Sequence, residues 1–309
     1  MSDGKRDFLQ LTDLSLREAR EVLMLSTKLK HEPKGLRRSL LAGRAIAVLL
    51  EKASTRTRVS FEVGISQLGA HPVVLGLQGS QLGRGEPIGD TARVLSRYCD
   101  AIVYRTSAQS RLVEMAAASV PVINALSDDG HPVQVLTDVF TAEEHLRSNI
   151  AGRRIAFVGD CSGNMARSWV EAAIVFGFHL VLAGPAAYGP PAEELARAGG
   201  WVTRVHDPVN AVSGCDVVNT DVWTSMGQES ETGERTRAFA GWTVNERMLQ
   251  AAAPGAFVLH CLPAHRGEEI DAPTLEGANS RVWDQAENRL HVQKALLVWI
   301  LGATPKVVG

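Results

Sequence analysis

The chain has 309 residues, with 32 Lys and Arg against 34 Asp and Glu, a net charge of −2. That balance excludes the basic footprint of a typical nucleic-acid-binding domain. With 45% hydrophobic and 21% charged residues, the composition is that of a folded globular protein, and the length suits two domains of roughly 150 residues each.

The N-terminus, MSDGKRDFLQ, is charged and lacks the apolar core of a signal peptide. Beyond it, short apolar runs alternate with helical patterns. The runs are Ala45–Leu50, Val73–Leu77, Ala101–Tyr104 and Val120–Leu126, with amphipathic stretches at Arg58–Leu68, Asp90–Tyr98 and Arg111–Ala118. The runs are near-continuous, as parallel strands covered on both faces require. A polar segment follows at Thr141–Asn149, and the pattern restarts. Strands are expected at Arg154–Val158, His179–Ala183, Trp201–Val205, Asp216–Thr220, Ala256–Leu259 and Arg281–Trp283. Helices are expected at Asn164–Phe176 and Ala192–Ala198. The most apolar stretch, Ala172–Tyr188, is broken by Gly177, His179, Gly184 and Pro185 and is too interrupted for a membrane span.

This alternation predicts an α/β protein of two doubly wound parallel-sheet domains. The expected boundaries are residues 1–140 and 141–286, with a C-terminal helical segment, 287–309, packing back on the first domain. The cysteines, Cys99, Cys161, Cys215 and Cys261, are far apart and form no CxxC pair. A disulfide framework or a zinc ribbon is not expected, and the default location is the cytoplasm.

Ser54-Thr55-Arg56-Thr57-Arg58 follows the first strand and opens a helix. A Ser or Thr there caps orphan N–H groups, and those groups with the helix dipole attract an anion. Two guanidinium forks add donors that match phosphate geometry. Taken alone, the run could be an ordinary capped helix with exposed arginines. Arg105, His131 and Gln134 also follow strands of the same sheet, and this favours a common anion pocket at the strands' C-terminal ends.

In the second half, Gly159-Asp160-Cys161-Ser162-Gly163-Asn164 follows a strand and opens a helix. Only two glycines are present, and the next strand ends in Gly184-Pro185 with no acidic residue. Both absences count against a nicotinamide site. Asp221-Val222-Trp223-Thr224-Ser225-Met226-Gly227 follows another strand. Its carboxylate and hydroxyl suit a ligand's ammonium group, and Gly227 would let the loop beyond it move. His260-Cys261-Leu262-Pro263 ends the strand expected at Ala256–Leu259. Cys261 could there be a nucleophile or a small buried residue packed beside the site. Glu287-Asn288-Arg289 opens the terminal helix.

Together with Gln81-Leu-Gly-Arg84, Asp90-Thr-Ala-Arg93 and His131-Pro-Val-Gln134, this ordered set resembles the aspartate/ornithine carbamoyltransferase family, on its ornithine-using side, from about residue 8 to 302. The resemblance implies that carbamoyl phosphate and L-ornithine give L-citrulline and phosphate, in arginine or urea-type metabolism, without metal or organic cofactor, at an active site in the cleft between two domains linked by two helices. It implies that Ser54, Thr55, Arg56, Thr57 and Arg58 hold phosphate, and that Arg105, His131 and Gln134 meet the carbamoyl group. Asn164, Asp221, Ser225 and Met226 would bind ornithine, with Cys261, Leu262 and Arg289 beside the transferring group. Arg105, His131, Cys261 and Arg289 would be the catalytic residues, Cys261 orienting or handling a proton rather than attacking. Gln81 would be donated by a neighbouring subunit of a homotrimer, or of a multiple of trimers. No nucleic-acid or membrane partner is implied.

Val133, Gly163 and Ser107-Ala108 depart from the residues the family usually carries, but none removes a group the chemistry requires. Another amine, such as acetylornithine, putrescine or lysine, is the alternative acceptor. Retention of Arg56, Arg58, Arg105 and Arg289 argues against a silent homologue.

Overall fold

The two runs of strand–helix alternation fold as two separate parallel sheets in the computed structural model, which describes residues 4–32, 39–225 and 229–304. One compact unit comprises residues 1–136 and 288–309, and the other residues 137–287.

In the first unit the strands are β1 (Ala45–Leu50), β2 (His71–Gly76), β3 (Ala101–Arg105) and β4 (Val122–Leu126), ordered β2-β1-β3-β4. The helices are α1 (Leu16–His31), α2 (Thr55–Gln67), α3 (Ile88–Tyr98) and α4 (Gln109–Met115). β3 is buried along its whole length, as the apolar runs require when helices cover both faces. The outer edge of β4 is covered by the N-terminal segment. There Phe8 N–H donates to the Val122 carbonyl at 2.9 Å, and Asn124 N–H donates to the Phe8 carbonyl at 2.8 Å. α1 begins with a reciprocal cap: Ser15 Oγ accepts from Glu18 N–H, and the Glu18 carboxylate accepts from Ser15 N–H.

α5 (Pro132–Leu146) carries the chain into the second unit, and α12 (Val282–Ile300) carries it back. The second sheet has β5 (Arg154–Val158), β6 (His179–Ala183), β7 (Val202–Val205), β8 (Val217–Thr220) and β9 (Phe257–His260), ordered β7-β6-β5-β8-β9. α6 (Asn164–Phe176) ends at Gly177, whose φ of +69° is the left-handed turn that closes a helix. The remaining helices are short: α7 (Ala192–Ala198), α8 (Pro208–Ala211), α9 (Thr232–Ala238), α10 (Glu246–Gln250) and α11 (Ala272–Glu276).

The strand order places a switch point in each sheet. β2 lies on one side of β1 and β3 on the other; β6 lies on one side of β5 and β8 on the other. Connections leave such neighbouring strands in opposite directions and open a crevice at their C-terminal ends, where open α/β sheets bind ligands. Ser54–Arg58 and Arg105 follow β1 and end β3. Asn164 and Asp221 follow β5 and β8.

One expected strand is absent. Arg281–Trp283 lies at the start of α12, which begins at Val282 rather than at Glu287. Its first buried positions are Val282, Gln285, Asn288 and Arg289. Helical spacing is present, but polar residues occupy it, so apolar periodicity does not reveal it. The polar segment beginning at Thr141 belongs as far as Leu146 to α5, whose Gln134, Thr137, Asp138 and Thr141 are fully buried.

Candidate active site

The first unit gathers a buried cationic cluster around the start of α2. Ser54 is the N-cap, its Oγ accepting from Thr57 N–H at 3.3 Å. Thr57 is buried, and its Oγ1 accepts from two guanidinium groups: Arg105 at 3.3 Å and Arg289 at 3.1 Å. Arg289 also donates to Gln134 Oε1 at 3.0 Å. Arg105 of β3 and Arg289 of α12 therefore converge on one hydroxyl of α2, and Gln134 of α5 joins them through Arg289.

His131 stands in the same cluster, only 4% exposed. Burial pushes its imidazole well below the ordinary value, and the nearby charges of Arg289, Arg105 and Arg56 push it the same way. It is a neutral ring among cations, able to donate a hydrogen bond without adding charge.

Arg56 is half-buried and Thr55 is exposed. Arg58 is exposed and pairs with Glu62 at 3.5 Å on the next turn, outside the buried cluster. Gln81 is exposed and stands at the N-cap position of the short turn Leu82–Arg84, with no capping bond from its side chain.

Glu51, which sequence reasoning missed, ties the strand ends together. It immediately follows β1, and its N–H donates to the Arg105 carbonyl at 2.9 Å. Its carboxylate accepts from Thr106 Oγ1 at 2.6 Å, from Arg111 at 2.6 Å and from the Tyr104 hydroxyl. Burial pulls its pKa up, but these hydrogen bonds and the Arg111 charge outweigh it, so the carboxyl lies below its ordinary value. A carboxylate directly after a buried strand was the available signal.

In the second unit the switch point holds Asn164 at the first turn of α6, half-buried, and Asp221 just after β8. Asp221 Oδ1 accepts from Val222 N–H at 2.8 Å and from the Cys261 thiol at 3.1 Å. Burial raises the Asp221 carboxyl above its ordinary value, although His260, the thiol and the backbone N–H act in the opposite direction. Ser225 is exposed, and Met226 lies outside the described residues. Cys261 and Leu262 are half-buried beyond β9, with Leu262 in the left-handed region at φ +59° and a cis peptide joining it to Pro263.

His260 is almost fully buried. Its Nε2 lies 2.9 Å from Glu269 Oε1, and its Nδ1 accepts from Leu262 N–H at 2.9 Å. Its backbone N–H donates to Gln285 Oε1 at 2.9 Å, and Gln285 Nε2 donates to Asp138 Oδ1 at 2.6 Å. Asp221, His260 and Cys261 bring potential metal-ligating atoms within 4.8 Å of one another, as do His265, Glu268 and Glu269. In the first group both His260 nitrogens already have protein partners.

Family models place the two parts of the chain separately. The model described as the carbamoyl-P binding domain of aspartate/ornithine carbamoyltransferase matches residues 6–144, and that of its Asp/Orn binding domain matches residues 151–300. The chain is 68% identical over 306 residues to an ornithine carbamoyltransferase of Sorangium cellulosum, covering 97% of this chain and 98% of that one. It is 52% identical to one from Pelobacter propionicus, covering 96% and 99%. Among solved structures, the ornithine carbamoyltransferase of Pyrococcus furiosus matches with a TM-score of 0.91 at 44% identity, covering 99% of this chain and all of that one. That of Burkholderia thailandensis matches with a TM-score of 0.88, also at 44% identity, covering 96% and 98%.

Proposed function

The chain belongs to the aspartate/ornithine carbamoyltransferase family, and from that premise we propose that it transfers the carbamoyl group of carbamoyl phosphate to L-ornithine, releasing L-citrulline and phosphate. The observation that carries the donor half is the buried convergence of Arg105 and Arg289 on Thr57 at the start of α2, with Gln134 and neutral His131 beside it. Such a cluster suits a small dianion, which is compact enough to meet all the donors at once.

The roles follow from the chemistry. Ser54, Thr55, Arg56, Thr57 and Arg58 take the phosphate. Arg105, His131 and Gln134 take the carbamoyl oxygen and nitrogen, and Arg289, Cys261 and Leu262 complete the surroundings of the carbon. The lone pair of ornithine's δ-amine forms the new C–N bond, the carbonyl oxygen becomes an oxyanion, and the C–O bond to phosphate then breaks. Neutral His131 and the guanidinium groups of Arg105 and Arg289 stabilise that oxyanion, and Arg56 and Arg58 stabilise the departing phosphate. Phosphate or water accepts the proton shed by the amine. No covalent enzyme intermediate is needed, since positioning and electrostatics supply the rate. Cys261 orients the acceptor or handles a proton.

Asn164, Asp221, Ser225 and Met226 bind the α-amino and carboxylate groups of ornithine. Asp221 fits because burial raises its carboxyl above the ordinary value, and an ammonium group beside it supplies the opposite charge that favours the carboxylate. Relatives named for ornithine, up to 68% identical across nearly the whole chain, favour this acceptor over other amines. We place the reaction in arginine metabolism in the cytoplasm, with residues 1–140 and the terminal helix as the carbamoyl phosphate domain and 141–286 as the ornithine domain. The active assembly is a homotrimer in which exposed Gln81 completes a neighbour's site.

A citrulline assay with carbamoyl phosphate and a panel of amines tests the reading. Product with ornithine, in excess of that with acetylornithine, putrescine or lysine, is expected. Product with another amine and none with ornithine refutes it.

A further inference from the structure

A carboxylate in a protein interior must be compensated by hydrogen bonds or charge, so a fully buried one has a definite partner. Glu269 is such a group, at 0% exposure. Its backbone is rooted: its carbonyl accepts from Val244 N–H at 2.8 Å, and its neighbour Ile270 packs into the core of the second unit. Its Oε1 accepts from His265 N–H at 2.6 Å and stands 2.9 Å from His260 Nε2.

The tautomer of His260 follows from its other nitrogen. Nδ1 takes the Leu262 N–H, so it carries a lone pair and the proton is on Nε2, facing Glu269. The ring then bridges a fixed carboxylate and the backbone two residues ahead of its own. Cys261 lies within that span, and its thiol donates to Asp221 Oδ1 at 3.1 Å. Leu262, directly beyond, holds a left-handed φ of +59° that a leucine rarely adopts and that the Nδ1 contact helps to retain.

We propose that Glu269 and His260 are positioning residues for the reaction: the buried carboxylate orients the imidazole, and the imidazole fixes the backbone that sets the Cys261 thiol on Asp221 and places Leu262. Both ring nitrogens are engaged inside the loop, so the ring acts through Cys261 and Leu262. The kinetic part of the proposal rests on those two residues serving carbamoyl transfer; the thiol placement does not.

The test combines alkylation of Cys261 by iodoacetamide, followed by peptide mass analysis, with kcat and KM for both substrates. In Glu269→Ala the thiol is released and alkylates about tenfold faster. Its kcat falls about 10- to 100-fold, because misplacement of about 1 Å has effects of this order. KM for carbamoyl phosphate stays within about twofold, since its proposed phosphate ligands are in the other unit. Glu269→Gln keeps an oxygen acceptor for both donors and stays near wild type in alkylation and kcat. His260→Asn offers an Oδ1 to the Leu262 N–H and retains more activity than His260→Gln, which has no acceptor at that point. Wild-type alkylation and kcat in folded Glu269→Ala, or equal loss in the two His260 variants, overturns the proposal. Should the alanine variant not fold, the His260 pair decides it. If the wild type makes no citrulline from ornithine yet the thiol rates follow the expected order, the acceptor reading fails while the positioning role stands.

Discussion

His131 shows how a single side chain can be tuned by its setting. Burial and three arginines keep it neutral when folded, whereas the unfolded chain takes up a proton near pH 6.5. The unfolded state therefore binds more protons below that pH, and the stability of the fold declines as pH falls through 6.5. Replacing His131 with Gln should flatten the dependence of Tm on pH between about 6.5 and 5; an unchanged slope assigns the effect to other groups. Arg56 is the complementary case, a half-buried cation whose charge acts on His131. Arg56→Ala should lower kcat/KM for carbamoyl phosphate about 100-fold while leaving Tm close to wild type. Unchanged kinetics would reduce the Ser54–Arg58 run to a capped helix. These residues were legible in the sequence because each stands just after a strand. Glu269 was visible only as one of two consecutive acids, and nothing local marks it as the buried one.

Turns after strands set the placement of the helices in the second sheet. Gly184, at the end of β6, approaches the backbone after β5 so closely that a Cβ there would lie 2.2 Å from the Gly159 carbonyl oxygen. The Cys161 sulfur would be only 3.3 Å away. Gly184→Ala must push those backbones apart and should cost about 1–3 kcal/mol, read as a lower denaturation midpoint with unchanged m-value. It should also raise KM for ornithine, because the displaced turn leads into Asn164; an alanine variant as stable as wild type would contradict the packing. Strands were the elements best read from sequence, since buried parallel strands are near-continuous apolar runs. α12 was read short, and the end of α5 as a polar segment, because their buried faces carry Gln285, Arg289, Gln134 and Asp138, polar residues that bond to one another. Chemistry at those positions masks the periodicity that would announce a helix.

For the assembled protein, the proposed trimer makes a prediction that no single chain can satisfy. Chains carrying Gln81→Ala and chains carrying Arg105→Ala should each be nearly inactive as pure assemblies. Refolded together, they should regain a fraction of wild-type activity, because some sites combine an intact Arg105 from one chain with an intact Gln81 from another. No recovery in mixed trimers places Gln81 in its own chain's site. The amino-acid order alone was enough to establish two parallel α/β units and the family, because strand periodicity and the spacing of motifs such as Ser54–Arg58 and His260–Pro263 are local properties. It could not show that Arg105 and Arg289 share one hydroxyl on Thr57, or that Glu269 grips His260. Those depend on which strand neighbours which and on how far each side chain is removed from water. Contacts between residues as distant in sequence as Thr57 and Arg289, and the desolvation that gives them their strength, exist only once the chain has folded.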